Sequence, residues 1–184
     1  PAIATTVDRA LVVIDPNTLA ETVFLKEGDV APGTTETITD FDTGPHNFDF
    51  NNKGDIMFMA DLTGATTANS AIYLNNTILA REGDPSPIAG RNWYFVTSPE
   101  LSLNNNGEYV FHARLDGDTS TDYIIIKNGQ KFVQEGDTLP DIAPYKFTSF
   151  GTGPVLISDF GDVLWYGDWD DPNTDVDTGL FLNH

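Results

Sequence analysis

Asn51-Asn52-Lys53-Gly54-Asp55-Ile56-Met57-Phe58-Met59-Ala60-Asp61-Leu62 decides the fold class, because it recurs. Leu103-Asn104-Asn105-Asn106-Gly107-Glu108-Tyr109-Val110-Phe111-His112-Ala113-Arg114-Leu115 repeats its turn and its apolar run. Gly161-Asp162-Val163-Leu164-Trp165-Tyr166-Gly167 repeats them again. An Asn/Gly turn leading into a run rich in β-branched and aromatic residues is a strand signature. Period-two alternation puts Ile56, Phe58, Ala60 and Leu62 on one face, with Met57 and Met59 on the other. Both faces are apolar, so the strand belongs to a sheet covered on both sides.

Glu27-Gly28-Asp29, Glu82-Gly83-Asp84 and Glu135-Gly136-Asp137 recur at spacings of 55 and 53 residues. Each ends a short strand: Glu21–Lys26, Thr77–Arg81 and Lys131–Gln134. Glycine permits the tight turn there, and aspartate accepts local backbone hydrogen bonds. Proline-rich links follow, then second strands near Phe41, Phe95 and Phe150 that break before Pro45, Pro99 and Pro154. Fourth strands contain Ala71–Leu74, Tyr123–Ile126 and Gly179–Leu182.

Residues 1–184 therefore read as one all-β repeat domain. Its expected parts are an extra strand at 9–15 and repeats at 21–76, 77–129 and 130–184. Three propeller-like four-stranded repeats explain the doubly apolar strands, since neighbouring blades cover both faces of each blade. A sandwich or a β-solenoid fits the same periodicity. Three units fall short of the 4–8 blades of natural propellers. The expectation is half of a six-bladed assembly, built as a homodimer or other homo-oligomer, or completed by further repeats of a longer chain.

The Glu-Gly-Asp turn, its proline link and residues 51–62 resemble a tandem β-repeat of secreted or surface proteins of environmental bacteria. That repeat reads roughly EGD-x-x-PG … LN-x-x-G-x-V-x-F-x-A-x-L, and the resemblance covers about residues 21–184. It implies a propeller-like fold, a bacterial secreted or cell-surface location, and no transferable catalytic role. The third copy departs from it, with Ser158-Asp159-Phe160-Gly161 at the turn and Trp169 at the leucine position.

Composition narrows the function. The 28 acidic and 9 basic residues give a formal net charge of −19. That surface lacks the basic stripe needed to grip a phosphate backbone, which excludes nucleic acid. No apolar run reaches 18 residues, so membrane insertion by a helix is not expected. Cysteine is absent, which removes disulfides, thiolate metal sites and cysteine nucleophiles.

Hard oxygen ligands are concentrated at Asp168, Asp170, Asn173, Asp175 and Asp177, a candidate calcium loop whose spacing is not that of an EF-hand. Trp93 and Tyr94, in Asn92-Trp93-Tyr94-Phe95, are candidate stacking surfaces for a sugar, and His46 is a further candidate ligand-binding residue. No residue is assigned as catalytic: serine lies in no nucleophile-elbow motif, and the repeated Glu-Gly-Asp carboxylates read as turn residues. The reading is an extracellular binding or recognition module with a glycan or protein ligand. The alternatives are a structural self-assembly module and a polysaccharide-processing propeller enzyme using carboxylates with His46 or His112.

Overall fold

The computed structural model describes residues 7–41, 44, 46–94, 100–151 and 153–183. The second-strand positions Phe95, Pro45 and Pro99 lie outside them. The described residues form fifteen strands and no helix. β1 (Ala10–Ile14) and β2 (Glu21–Lys26) make a two-stranded N-terminal ribbon. Sheet I contains β3 (Ile38–Phe41), β4 (Phe48–Phe50), β5 (Ile56–Leu62), β6 (Ser70–Leu74) and β7 (Thr77–Arg81). Sheet II contains β8 (Leu101–Leu103), β9 (Tyr109–Arg114), β10 (Tyr123–Lys127) and β11 (Gln130–Gln134). Sheet III contains β12 (Phe147–Ser149), β13 (Leu156–Ile157), β14 (Val163–Trp169) and β15 (Thr178–Asn183).

The three recurrent runs are β5, β9 and β14, each at the centre of a different antiparallel sheet. Asparagine sets their register. Asn75, Asn128 and Asn183 each accept, through Oδ1, the N–H of the residue that opens the central strand: Ile56, Tyr109 and Val163. The outer strands share a bulge as well: register slips between Ile72 and Tyr73 in the β6–β7 pair and between Ile125 and Ile126 in the β10–β11 pair. The ribbon slips at the matched place, between Leu11 and Val12.

Three apolar layers lie between successive sheets. Leu11, Phe24 and Leu25 of the ribbon pack on Phe58, Tyr73, Ile38 and Phe41 of sheet I. Met57, Met59, Ile72 and Ala80 on the opposite side of sheet I meet Leu101, Phe111, Ala113 and Ile124 of sheet II. Val110, Ile125 and Val133 of sheet II then meet Phe147, Phe150, Val163 and Trp165 of sheet III. The double burial read from the central strands holds for β5 and β9, one face per neighbour, whereas β14 has a neighbouring sheet on one face only.

A propeller is not what results. The four sheets have two, five, four and four strands, and none closes into a propeller or barrel. Closure would cover the outer faces of the ribbon and of sheet III. Instead Val12, Val23, Leu180 and Leu182 are exposed there. The half of a six-bladed assembly is withdrawn for the same reason. Nor is the 9–15 segment a stray strand, because β1 pairs along its whole length with β2.

Candidate functional site

The Glu-Gly-Asp turns join each sheet to the next. Gly28, Gly83 and Gly136 have φ of 85°, 83° and 84°, a left-handed conformation that favours glycine. Their N–H groups donate to the carbonyls of Ile38, Trp93 and Phe147 at 2.8, 2.9 and 2.8 Å. The N–H groups of those three residues donate back to Asp29, Asp84 and Asp137 O, each at 2.9 Å. Two reciprocal bonds therefore clip the end of one sheet to the first residue of β3 and of β12, and to Trp93, which bridges Leu115 at the edge of sheet II.

The glutamates face the other way. Glu27, Glu82 and Glu135 are buried. Their carboxylates accept backbone N–H groups where the preceding strand begins: Asp8 at 2.7 Å, Asn69 at 3.3 Å and Tyr123 at 3.0 Å. Burial raises the Glu82 carboxyl above its ordinary range. Burial, with Asp122 alongside, pushes Glu135 up to about 7. Asp122 is itself buried and ion-paired with Arg114. The repeated carboxylates thus hold the architecture and are consumed by it.

A second connection runs through the Asn/Gly turns. Asn51 Nδ2 donates to Asn104 O at 3.1 Å, and Asn104 Nδ2 donates to Ser158 O at 2.8 Å. Asn52 N reaches Asn105 Oδ1, and Asn105 N reaches Asp159 Oδ1, each at 2.8 Å. Asp49 Oδ2 accepts Leu103 N at 2.7 Å, and Ser102 Oγ accepts Ile157 N at 3.3 Å. The Asn51, Asn104, Asp49 and Ser102 side chains serve the following sheet, and the Asn105 and Asp159 side chains serve the preceding one. Sheet III breaks the series: Ser158 stands where Asn51 and Asn104 stood, and Leu156 where Asp49 and Ser102 stood. Ser158 Oγ turns to its own loop, toward Asp162 Oδ2 at 3.2 Å.

That break accompanies an exposed apolar face. Register matches Leu180 to Ile72 and Ile125. Ile72 and Ile125 are 0% exposed, whereas Leu180 is 73% exposed. Leu182 (54%) and Leu156 (45%) share the exposure, and Leu164 and Tyr166 are half-buried between them. This face is the strongest candidate site, and the sequence reading missed it. Its signal was the loss of the polar pattern at Leu156 and Ser158.

The residues singled out from sequence fall elsewhere. Trp93 is only 6% exposed and packs on Phe111, with ring centroids 6.1 Å apart. Tyr94 points to solvent. Adjacent in the chain, the two do not form a common platform, and the carbohydrate-binding reading is withdrawn. His46 Nδ1 lies 3.8 Å from Glu100 Oε2, whose carboxyl is pushed up by burial. Two recesses of about 490 and 310 Å³ flank the ribbon, and neither is lined by Trp93, Tyr94 or His46.

Calcium is also withdrawn. Among the described residues, no group of three or more His, Cys, Asp or Glu side chains is placed to hold a metal ion. Three side chains of the acidic loop are engaged with backbone N–H groups. Asp170 Oδ1 accepts Lys146 N at 2.7 Å, Asp171 Oδ1 accepts Asn173 N at 2.8 Å, and Asn173 Oδ1 accepts Asp175 N at 3.2 Å. Asp177 O accepts Trp169 N, and Asp168 pairs across the sheet with Thr178. No helix of the described residues is long and apolar enough to cross a membrane.

A family of unknown function (DUF7453) matches residues 2–184. No curated protein and no solved structure matches the chain. The match replaces the resemblance to a bacterial secreted propeller repeat, for which neither the family nor the four unclosed sheets gives evidence.

Proposed function

We infer that this chain, which belongs to the family of unknown function DUF7453, is a non-catalytic assembly module that pairs with a second copy of itself through the outer face of sheet III. The supporting observation is the 73% exposure of Leu180 at a position that is fully buried in sheets I and II. Leu156, Leu180 and Leu182 extend the apolar surface around it. A contiguous apolar patch on a soluble protein marks a contact surface.

The occupant follows from what this face lacks. A further sheet stacked in the manner of sheets I to III would be aligned by side chains at the Asn104 and Ser102 positions. Ser158 and Leu156 supply neither role. A plain apolar face is self-complementary, and twofold pairing of identical patches is the commonest route to an oligomer. The ribbon's outer face has only two strands, too narrow to cover the three rows of sheet III, where β12 and β13 share one edge of β14 and β15 takes the other. Non-catalysis belongs to the same proposal: the buried carboxylates Glu27, Glu82 and Glu135 are engaged with backbone N–H groups. An extracellular setting suits the acidic excess of 28 residues against 9.

Light scattering over a dilution series tests the reading. The expected result is a dimer mass that falls to the 20.1 kDa monomer on dilution. Replacing Leu180 and Leu182 together by aspartate should leave a folded monomer at every concentration. A monomeric unmodified chain at high concentration, or a dimer unaffected by the double substitution, would overturn it.

A further inference from the structure

The joint from sheet I to sheet II and the joint from sheet II to sheet III each begin with a buried glutamate, and the two glutamates keep different company. Leu62 N donates to Asn69 O at 2.6 Å and Leu115 N to Asp122 O at 2.8 Å, so Asn69 and Asp122 hold the same place in their sheets. Beside Glu82 that place is a neutral amide. In the orientation that satisfies both of its ends, the Asn69 amide donates to Glu82 Oε2 at 3.1 Å and to Thr66 O at 3.2 Å. Asp61 acts on Glu82 less than burial and the Asn69 N–H do.

Beside Glu135 the same place is a second carboxyl. Asp122 and Glu135 are both buried, and their side chains are hydrogen-bonded to each other. A hydrogen bond between two carboxyls needs a proton on one of them. Arg114 is ion-paired with Asp122 and lies 4.6 Å from the Tyr123 ring centroid, so the proton falls to Glu135. Once that proton leaves to solvent, two buried carboxylates share one guanidinium, and one charge is uncompensated. Other charged groups around the joint are committed elsewhere. Arg91 donates to Thr121 O and Asp118 O, Lys131 pairs with Asp137, and Asp170 accepts the Lys146 N–H.

We propose that Glu135 and Asp122 form a proton-dependent clasp: one shared proton holds the joint between sheets II and III closed, and its loss under mildly alkaline conditions loosens that joint more than the joint between sheets I and II. Repulsion from Asp122 draws the Glu135 carboxylate off the Tyr123 N–H, which it accepts at 3.0 Å. Glu135 also opens the turn whose Gly136 and Asp137 hold Phe147, so the strain passes directly into the clip on sheet III. The sign follows from burial and Asp122 raising the Glu135 carboxyl: closure is complete when it is protonated and is lost as pH rises through about 7. The clasp does not depend on the contact through the outer face of sheet III.

Amide hydrogen exchange on the full chain, read residue by residue by NMR and corrected for intrinsic base catalysis, follows the two joints separately. Between about pH 6 and about pH 8.5, opening at Tyr123, Gly136 and Phe147 should rise about tenfold. Opening at Asn69, Gly83 and Trp93 should rise less. Glu135→Gln should abolish the rise at the second joint. Asp122→Asn should reduce it to the size seen at the first, because burial still acts on Glu135. The comparison of joints within the unmodified chain needs no variant, so the test survives misfolding of either substitution. An equal rise at both joints, no rise at Gly136 and Phe147, or a full rise retained in Asp122→Asn overturns the clasp. A chain that proves monomeric still reports both joints, so this outcome is separable from the fate of the dimer.

Discussion

Replacing Phe111 by alanine lowers the free energy of unfolding by about 3–5 kcal/mol, the cost of truncating a tightly packed aromatic. Phe111 is fully enclosed between sheets I and II, with Trp93 and Tyr109 rings each 6.1 Å away. Phe58 and Trp165 hold the matched positions of the other sheets and are buried too. Urea unfolding followed by Trp fluorescence measures the change through the midpoint at constant slope. A loss below about 0.5 kcal/mol would mean that the layer between sheets I and II does not carry the stability assigned to it.

Acidification should destabilise the chain through His112. Its ring is buried between sheets II and III, lies 6.1 Å from the Phe150 ring, and leaves Nε2 without a partner. Burial lowers its pKa to about 4. The unfolded chain, with an ordinary value near 6.5, takes up the proton first as pH falls. Stability is therefore lost from about pH 6.5 down to about 4, on the order of 3 kcal/mol in all. Glu135 opposes this: its raised folded value gives stability present below about 4.5 and lost as pH rises through about 7. Substituting His112→Met isolates the histidine, because Met59 occupies the same place in sheet I. Its urea midpoint should lose the acid-side slope and keep the Glu135 slope. An unchanged acid-side slope in His112→Met would remove His112 as the cause.

Much of this architecture was legible in the chain. The turns at 51–54, 104–107 and 158–161 and the runs that follow them gave three central strands, since turn chemistry and period-two alternation are local. The Glu-Gly-Asp turns were legible as turns, but their clip to Ile38, Trp93 and Phe147 was not, because those partners are about ten residues away. The sheet boundaries were also hidden. β7 and β11 complete the sheets that precede them, joined by tight turns at Asn75-Asn76 and Asn128-Gly129. Asn128-Gly129 between apolar runs is a hairpin signal, yet the repeats were expected to divide at these same turns, 76/77 and 129/130.

Closure and site were harder to read. A ring and an open stack have the same repeat length and the same doubly apolar strands, so only the exposure of Val12, Val23, Leu180 and Leu182 separates them. Five Asp and one Asn within ten residues looked like a cation cage, yet the two-residue spacing of Asp171, Asn173 and Asp175 serves turns in which one side chain accepts the N–H two residues on. Trp93 illustrates the same limit. Whether an aromatic faces a ligand or a core depends on which strand it bridges, and Trp93 bridges Leu115.

Cysteine cross-linking tests the central claim most directly, because the natural chain contains no cysteine. Chains carrying Leu180→Cys, Val12→Cys or, as an exposed control, Thr66→Cys are mixed in pairs with distinguishable mass tags and treated with a short bismaleimide. Face-to-face pairing of sheet III predicts dominant linkage between position 180 of one chain and position 180 of another. Linkage mainly between positions 180 and 12, or linkage at 180 no greater than at 66, would contradict it.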